Sequence, residues 1–599
     1  MKTGGENGSA IAATGMLVSF RNVSYTVKNS RNKKEDIKMG PSGSGKTTLL
    51  DVLSGRKTVG KITGEILYSG NVPTLQFLRR FTGYVEQFDT LVDLLTVYEM
   101  LLYTAELKLP MGTDYKAAVD GVIKALALQH CKNTRIGSAL TGTRAISKSD
   151  AKRVNIGIAL VSNPKVLFLD EPTTGLDSFT ANEVMTVIRQ LASSGMTVCA
   201  TIHAPTHYVF SQCDRLLMLL RGQMCYFGRN GDTVRKYFEE HNPNVETLAS
   251  QSSLAEWIVD LTTEADRLGK AGQLADALAD RLGKAGQLAE AFSRDTLRAH
   301  AESELEQQLA MTSELPPETR AALAVTRATE TPVWWGVRTL LKYRGLRNYT
   351  SPDWYGARVV PVFINCFLTF TVFWKVAAHL RSDNVTNIAG VMFMWTVLPS
   401  FGATAYIPAI MLERALFTRE RNDGLYRVIT FLVYKLCEEL FINIICSAIA
   451  CVAVYFAVGI QGSYVIVWLG YFVTWMIGVA MSYFVSALSP NMDTANAAVP
   501  TFAVLNMLTS TFLIRLSDIG WWWRWYAYVN FVRWAFDAQM ANMFGGDRNI
   551  PYLGGENVLE YYGADTMSAW AYLGIESCFF LLFFGLAAVV MTYVRHDKR

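Results

Sequence analysis

The sequence predicts an α/β domain with a phosphate-binding loop, followed by an all-α membrane domain of six helices. Two observations predict the first part: the glycine-rich run Gly40–Thr48, and the apolar stretch Leu167–Asp170 that ends in Glu171. Long apolar stretches after about residue 355 predict the second part, whereas most charged residues lie earlier. The chain has 599 residues and a net charge of +4. Two or more domains are therefore expected, and nothing indicates a nucleic-acid partner.

The glycine-rich run fits the pattern G-x-x-x-x-G-K-[ST], in which a curled backbone points its N–H groups at phosphate oxygens. Lys46 is expected to reach the β- and γ-phosphates of a nucleotide, and the Thr47 hydroxyl to bind Mg²⁺. If this pattern is taken alone, the alternative is a glycine-rich loop that binds no phosphate. The residues expected to hold the nucleotide here are Gly40, Pro41, Ser42, Gly43, Ser44, Gly45, Lys46, Thr47 and Thr48.

The predicted strand that ends in Asp170 and Glu171 makes ATP binding the favoured interpretation. Asp170 suits Mg²⁺ binding, and Glu171 suits the activation of a water molecule. The helix that follows the loop, Thr48–Gly55, would receive phosphate at its N-terminus.

Three further side chains are candidates for the same site. Gln87 follows a predicted strand and could touch both Mg²⁺ and the membrane half. Asp177 lies in the turn after Glu171 and is a candidate nucleotide-binding residue. His203 ends the predicted strand Met196–His203 and is placed to contact a γ-phosphate, although a lone histidine after a strand is more often structural.

Composition divides the chain into a nucleotide-binding domain at 1–262, a linker at 263–332 and a membrane domain at 333–599. In the linker, Ala265–Leu278 is repeated almost letter for letter as Ala279–Phe292. The repeat is interpreted as a duplication in a tolerant linker, with a partner-binding helix as the alternative. Nine cysteines include no C-x-x-C pair, so neither a zinc site nor a disulfide framework is indicated.

Six stretches are long enough to cross about 30 Å of hydrocarbon, which takes around 20 residues. Met1–Phe20 lacks the features of a signal peptide, so the N-terminal half is expected in the cytosol. The basic loop Glu413–Arg427 and the basic C-terminal tail then also face the cytosol. The membrane is either the plasma membrane or an internal one. The predicted spans are Tyr355–Ala377, Asn387–Met411, Val428–Val458, Val465–Leu488, Thr494–Ile514 and Ala569–Val594.

Two segments outside the spans are predicted to lie at the membrane interface. Arg515–Ser568 is rich in Trp and Tyr, which favours short re-entrant or interfacial helices. Val333–Arg347 mixes apolar and basic residues, which favours an amphipathic helix on the cytosolic membrane surface. A soluble amphipathic helix is the alternative for the second segment.

With these motifs in this order, the sequence resembles the half-transporters of the ABC transporter G subfamily. The resemblance covers nearly the whole chain, including the loop Glu413–Arg427 and the first strand Met16–Tyr25. It implies a RecA-like fold with a helical subdomain, ATP and Mg²⁺ as cofactors, and work as a dimer. It also places Tyr25 near the adenine.

The resemblance extends to the membrane half. Phe401 matches a cavity-lining aromatic residue, and Phe512 and Leu513 match an apolar plug. The family's multidrug pump has Asn where Leu398 stands, so that pump's substrate range is not carried over.

Two departures from the family pattern bear on activity. Where the subfamily has a signature similar to Val-Ser-Gly-Gly-Glu, this chain has Ile146–Asp150, with Lys148 and Ser149 in place of both glycines. Ser147 remains as a candidate nucleotide-binding residue. Side chains at the glycine positions are expected to obstruct the approach of backbone N–H groups to the γ-phosphate. The phosphate loop is also preceded by a segment, Arg31–Met39, that is too charged for a buried strand, and roughly 20 residues look missing compared with the family.

The function favoured by the sequence is ATP-driven transport of a lipid-like or amphipathic molecule. The partner is expected to be a second half-transporter of the G subfamily, in a heterodimer with one competent ATP site. An ATP-binding regulatory subunit with little hydrolysis of its own is the alternative. An ATP-dependent ion channel is less favoured because no ring of charges lines a span, and six spans exclude a soluble P-loop enzyme.

Overall fold

The computed structural model describes residues 16–28, 34–35, 44–137, 145–220, 222–241, 253–259, 283–311, 322–325, 327, 329–594 and 596. They form two compact units. The first contains the described residues up to Pro332 together with Arg419–Tyr426. The second contains Val333–Thr418 and the described residues after Tyr426 up to 596.

Three sheets form the framework of the first unit. The antiparallel sheet has the order β2–β1–β3, the parallel sheet has the order β4–β5–β6, and β7 pairs with β8. Every residue of β4 and β5 is buried, as expected of parallel strands covered on both faces. The strands are β1 Val18–Lys28, β2 Lys34–Glu35, β3 Lys61–Tyr68, β4 Thr82–Val85, β5 Val166–Asp170, β6 Thr197–Thr201, β7 Arg215–Leu220 and β8 Gln223–Arg229.

The helices of the first unit begin at capping side chains where the sequence offers them. Thr96 and Glu99 form a reciprocal capping box at the start of the helix Val97–Lys108, and the Ser147 hydroxyl caps the helix Lys148–Leu160. The labelled helices are α1 Lys46–Leu53, α2 Leu75–Phe81, α3 Val97–Lys108, α4 Tyr115–Ala125, α5 Lys148–Leu160, α6 Ser178–Ser193, α7 His207–Ser211, α8 Asp232–His241, α9 Gly283–Arg294 and α10 Thr296–Met311.

The core beneath the nucleotide-binding motifs joins α1 to the sheets. Leu50 of α1 packs in one cluster with Tyr68 of β3 and with Val166 and Phe168 of β5. The Tyr68 hydroxyl donates to the Leu53 carbonyl at 2.8 Å, which satisfies the one polar atom of a fully buried ring. This packing fixes the start of α1 relative to the end of β5.

The parallel sheet ends at β6 within the described part of the chain. There, β6 pairs only with β5, and its residues before Thr201 are half-buried or exposed. Lys34 and Glu35, from the charged segment before the phosphate loop, instead pair with β1 of the antiparallel sheet. The remainder of Arg31–Met39 lies outside the described residues. The absence of a buried strand before the phosphate loop, compared with the family, therefore stays a prediction.

The second unit is all helical. A π-helical turn, Leu341–Gly345, joins its first two helices. The helices are α11 Val333–Leu340, α12 Leu346–Asn348, α13 Pro352–Val372, α14 Val385–Gly402, α15 Ile407–Met411, α16 Arg414–Asn422, α17 Val428–Val458, α18 Tyr464–Leu488, α19 Met492–Leu508, α20 Trp521–Val529, α21 Phe531–Phe544, α22 Val558–Tyr562 and α23 Ala569–Tyr593. The last four residues of α16 belong to the first unit.

Five helical segments of the described chain, rather than six, are long and apolar enough to cross a membrane. The fifth predicted span, Thr494–Ile514, is wrong in length, because α19 has 17 residues and ends at Leu508. At this end, the Thr509 hydroxyl donates to the Leu505 carbonyl at 2.9 Å, and the Ser510 hydroxyl donates to the Met507 carbonyl at 2.7 Å, so both carbonyls of the last turn are satisfied. The five segments are Trp354–Val372, Ser382–Met411, Val428–Val458, Tyr464–Leu488 and Ala569–Tyr593.

Side-chain contacts give the relative direction of the long helices. Thr474 of α18 bonds Glu576 of α23 at 2.6 Å, and the Ala487 carbonyl bonds His596, just beyond α23, at 2.7 Å. Residue numbers increase together on both helices, so α18 and α23 run parallel. The chain therefore returns across the unit between them, and α19 with the segment up to Ser568 makes that return.

The two segments predicted at the interface are helical. Arg515–Ser568 contains α20, α21 and α22, with four exposed tryptophans in α20: Trp521, Trp522, Trp523 and Trp525. Val333–Arg347 is covered by α11, the π turn and the start of α12. Its basic face is not wholly exposed, because the Arg344 side chain is buried and ion-paired with Glu413.

Candidate functional site

The end of the phosphate loop leads directly into α1. Gly45 has φ 94°, a left-handed conformation that a glycine adopts without strain, and it immediately precedes α1. The first backbone N–H groups of this helix have no intrahelical partner, which favours an anion at its N-terminus. Lys46, Thr47 and Thr48 form this first turn, whereas Gly40, Pro41, Ser42 and Gly43 lie outside the described residues.

Asp170 lies at the end of β5 and holds two hydroxyls. Thr47 of α1 donates to its Oδ1 at 2.9 Å, and Thr201 of β6 donates to the same oxygen at 2.7 Å. Burial raises the pKa of Asp170, the two hydroxyls lower it, and the neighbouring Asp51 and Glu171 carboxylates raise it further, with a net upward shift. A bound cation would offset the repulsion among these carboxylates. The oxygen atoms of Asp170 and Thr47 are the type of ligand that Mg²⁺ prefers.

Glu171 is held in a fixed position beside Asp170. Its φ is 46°, which is uncommon for a residue other than glycine. Its backbone N–H donates to the Thr201 hydroxyl at 2.9 Å, and its Oε2 accepts from Gln87 Nε2 at 2.8 Å and from the Thr174 hydroxyl at 2.9 Å. Gln87 and Glu171 are thus brought together.

Thr201 is a site residue that sequence reasoning missed. Its hydroxyl donates to Asp170 and accepts from the backbone of Glu171, so it connects both candidate acidic residues. The available signal was its position: Thr201 is the last residue of the strand next to β5, and the carboxyl ends of parallel strands meet at one sheet edge.

The other predicted nucleotide-binding residues have different surroundings. His203 is exposed beyond β6. The Tyr25 hydroxyl donates to the Val59 carbonyl at 2.6 Å, and Lys57 lies 5.4 Å from its ring centre. Asp177 caps α6, accepting from the Thr180 N–H at 3.0 Å, and this bond lowers the pKa of its carboxyl.

The segment in place of the glycine signature forms the start of α5. Ser147 accepts from the Asp150 N–H at 3.0 Å and donates to Asp150 Oδ2 at 2.7 Å. Lys148 is exposed and Ser149 is half-buried in the first turn of α5. Both side chains therefore lie where the family pattern has none.

A chain of hydrogen bonds runs from Gln87 along α5. The Gln87 carbonyl accepts from Lys152 at 2.9 Å, and Lys152 also pairs with Asp89 at 3.0 Å. Asp89 accepts from Asn155 Nδ2 at 3.0 Å, and Asn155 Oδ1 accepts from Arg419 at 2.6 Å. Buried polar groups linked in this way hold one another in place, and they connect the candidate catalytic site to the segment Arg419–Tyr426.

A second connection starts from α1. Asp51 accepts from the Tyr84 hydroxyl at 2.7 Å, and the Arg56 guanidinium lies 4.2 Å from the centre of the Tyr84 ring. Arg56 forms a buried ion pair with Asp423. Burial alone would raise the pKa of Asp423, but Arg56 and Arg419 hold it below its ordinary value. Gln87 is therefore connected to the segment Arg419–Tyr426 through Asn155, and α1 is connected to it through Arg56.

In the second unit, the predicted cavity residues do not form one cluster. The Phe512 ring stacks on Phe393 at 4.5 Å and lies 5.8 Å from Phe536. Phe401 is half-buried and lies eight residues beyond Phe393, about 12 Å further along α14. Leu513 is 49% exposed and Leu398 is half-buried. The roles of Phe401, Phe512 and Leu513 at a cavity stay predictions.

Two known families match the two halves of the chain. Residues 22–174 match the family described as ABC transporter, and residues 336–544 match the family described as ABC-2 type transporter. The first match contains the loop, Gln87, α5 and Asp170, and the second contains four of the five long helical segments.

Curated relatives extend the likeness to most of the chain. It is 28% identical to ABC transporter G family member 41 of Arabidopsis thaliana, over 98% of this chain and 43% of that protein. It is 31% identical to ABC transporter G family member 40 of rice, Oryza sativa subsp. japonica, over 87% of this chain and 35% of that protein. Pleiotropic drug resistance protein 1 of Nicotiana tabacum is 30% identical over 85% of this chain and 35% of that protein.

The chain thus spans about two fifths of the length of these relatives. Among solved structures, a component of an ABC transporter complex from Clostridium perfringens aligns with a TM-score of 0.31 and 23% identity, over 38% of this chain and 96% of that one.

Proposed function

Because the chain belongs to the ABC transporters of the G family type, we propose that it is one half of a dimeric, ATP-driven membrane transporter. The observation that supports this most directly is the joint placement of Thr47, Asp170, Glu171, Gln87 and Thr201 at one edge of the parallel sheet. That placement provides a Mg²⁺ ligand set and a carboxylate beside it. The same chain contains a helical membrane unit, whose movement ATP hydrolysis would drive.

In the proposed reaction, α1 receives the phosphates at its N-terminus, and Lys46 reaches the β- and γ-phosphates. Thr47, Gln87 and Asp170 would hold Mg²⁺, which would neutralise the charge of the phosphates. Glu171 accepts a proton from the attacking water, with Thr174 and Gln87 fixing its carboxylate. His203 contacts the γ-phosphate.

The proposed coupling follows the two connections described above. Closure around ATP moves Gln87 and α5, and the Lys152–Asp89–Asn155 bonds pass that movement to Arg419. The Arg56–Asp423 pair links the other end of the same segment to α1. Since α16 runs on to the second unit, its displacement reaches the membrane helices.

We further propose a heterodimer with one competent ATP site. In the sandwich that ABC proteins form, the start of α5 faces the partner's nucleotide, and Lys148 and Ser149 would obstruct it. Two copies of this chain would form two impaired ATP sites. A partner with a glycine signature would instead complete the ATP site that contains this chain's Asp170 and Glu171. Few charges in the long apolar helices favour a lipid-like or amphipathic cargo.

The open edge of β6 favours a second candidate function, an ATP-binding regulatory subunit. In the described part of the chain no strand pairs with that edge, although the phosphate loop of such a domain normally follows a strand of the same sheet. Such a subunit would bind ATP and hydrolyse it slowly.

ATP hydrolysis by the purified chain in lipid tests these proposals. The rate is measured for the chain alone and with candidate G family partners, with Glu171→Gln as the blank. Hydrolysis only with a partner supports the heterodimer, and equal hydrolysis by the chain alone contradicts it. No hydrolysis in either preparation, with Mg²⁺-dependent ATP binding retained, favours the regulatory subunit.

A further inference from the structure

Beside the start of α5, three potential metal ligands converge outside the nucleotide site. His130 and Cys131 are adjacent in the short 3₁₀ helix Gln129–Cys131, and Asp150 is in the first turn of α5. His130 Nε2 lies 3.3 Å from Asp150 Oδ1, and the ligand atoms of all three lie within 4.8 Å of one another. No other group of three such side chains comes as close within the described part of the chain. We propose that these three residues bind a zinc-like divalent transition-metal ion.

The separations fit a small tetrahedral ion. Two ligands bound at about 2.0 Å with tetrahedral angles lie about 3.3 Å apart, and a sulfur and an oxygen ligand about 3.5 Å apart. The His130–Asp150 distance of 3.3 Å already has this value. The remaining separations need to shorten by at most about 1.3 Å, from 4.8 Å to about 3.5 Å, which a side-chain rotation provides.

The surroundings leave the required atoms available. Asp150 uses Oδ2 for the Ser147 hydroxyl, so Oδ1 can bind an ion without loss of the α5 cap. The Cys131 thiol makes only a long bond of 3.6 Å to the Leu128 carbonyl. Arg153, on the same helix, is ion-paired with Glu183 at 2.7 Å, so its positive charge is compensated.

The donor set selects the class of ion. A thiolate and an imidazole favour Zn²⁺ and similar ions over Mg²⁺, whose preferred ligands are all oxygens. Cys131 and Asp150 are buried, whereas the His130 side chain is 60% exposed, so the ion would keep an open fourth position for water. No spacing rule indicates this site, since Asp150 lies 19 positions after Cys131 in the sequence.

Such an ion would tie the 3₁₀ helix to the first turn of α5. The segment Ile146–Asp150, which differs from the family signature, would then be held from outside the nucleotide site. This inference does not depend on whether the chain hydrolyses ATP or transports anything.

Cadmium binding to the full chain tests the proposal. The purified chain, stripped of metal and without nucleotide, is titrated with Cd²⁺, and the ultraviolet absorption of the cadmium–thiolate bond is measured. We expect one equivalent to saturate the signal, Zn²⁺ to compete with it, and excess Mg²⁺ to leave it unchanged. Cys131→Ser should abolish the signal, whereas Cys578→Ser, which changes an exposed cysteine elsewhere, should retain it.

A second variant guards against loss of folding at the buried thiol. His130→Gln changes an exposed side chain and should weaken Cd²⁺ binding at least tenfold while thermal unfolding in the absence of metal stays unchanged. A signal that survives in Cys131→Ser, or equal affinity in His130→Gln, would show that His130 and Asp150 form an ion pair only and would overturn the proposal.

Discussion

At the residue scale, a single hydroxyl organises the acidic end of the parallel sheet. Thr201 is the common partner of the Asp170 carboxylate and the Glu171 backbone, and Thr47 reaches Asp170 from α1. The aspartate is thus oriented from two elements before any cation binds. Sequence patterns identified Asp170 and Glu171 because both belong to one contiguous motif, but the hydroxyl came from another strand.

Replacing that hydroxyl should disturb the metal–nucleotide site. Thr201→Val removes a donor to Asp170 and an acceptor for the Glu171 N–H, and each loss costs about 1 to 3 kcal/mol. We expect Mg²⁺-dependent nucleotide binding to weaken roughly tenfold or more, and Thr201→Ser to restore it. Fluorescent-nucleotide titration measures this. Thr186→Val, on α6, is the control, and an equal effect of both valine variants would contradict the assignment.

Asp423 offers a stability prediction with a defined sign. Asp423→Asn removes the nearer of the two carboxylates paired with the buried Arg56 guanidinium, which should cost about 3 to 5 kcal/mol and lower the unfolding temperature by several degrees. Thermal unfolding of the purified chain checks this. Asp214→Asn is the matched control, because Asp214 pairs with Arg189 on the surface and its loss should cost less than about 1 kcal/mol.

The same pair predicts a pH dependence. The pKa of Asp423 is held below its unfolded value of about 3.9. Its contribution to stability is therefore fully present above that value and is lost as the pH falls through the lower folded pKa. The difference in unfolding temperature between the wild-type chain and Asp423→Asn should shrink below about pH 4. A difference that grows on acidification would show that the carboxylate is not stabilised by Arg56.

At the scale of elements, α5 performs two tasks with its first two turns. Its first turn contains the altered signature, and Lys152 and Asn155, in its second turn, bind the Gln87 carbonyl and Arg419. A rigid helix transmits a displacement of one turn to the next. The state of the Ile146–Asp150 segment is therefore expected to reach Arg419 through α5 itself.

A double-mutant cycle measures the contact between Asn155, in the second turn of α5, and Arg419. Arg419→Ala and Asn155→Ala should each destabilise the first unit, and together they should cost less than their sum, by about 1 to 3 kcal/mol. Chemical unfolding of the four chains gives the interaction energy. Asn182, which bonds Thr206 on another face, provides the control pair with Arg419, and its effect should be additive. Additivity for Asn155 would exclude the proposed coupling bond.

The elements themselves were largely predictable, whereas their partners were not. The strand ending in Asp170, the helix after Lys46 and five membrane helices follow from local apolar pattern and glycine position. The bond between Asn155 and Arg419 joins residues 264 positions apart, and no spacing rule reports such a contact. The fifth predicted span was overlong because apolar Phe512–Ile514 continues the hydrophobic pattern, although α19 itself ends at Leu508.

At the scale of the whole molecule, the proposed need for a partner rests on two side chains, and it can be reversed. Lys148→Gly with Ser149→Gly restores both signature glycines, at a cost of about 1 kcal/mol each within a helix. We expect the hydrolysis rate of the chain without a partner to rise at least tenfold, as measured by phosphate release. The same double change in a Glu171→Gln background should show no rise. An unchanged rate would mean that the signature is not what limits this chain.

The short helix α19 has a consequence for the lipid around the protein. Its 17 residues extend about 25 Å, less than the hydrocarbon core of an average bilayer, and its last carbonyls bond to hydroxyl side chains. A thick, sterol-rich bilayer would have to thin locally around this helix, whereas a thinner bilayer such as that of the endoplasmic reticulum, about 27 Å, matches it closely. Hydrophobic mismatch at this one helix would therefore be smaller in a thin bilayer than in a thick one.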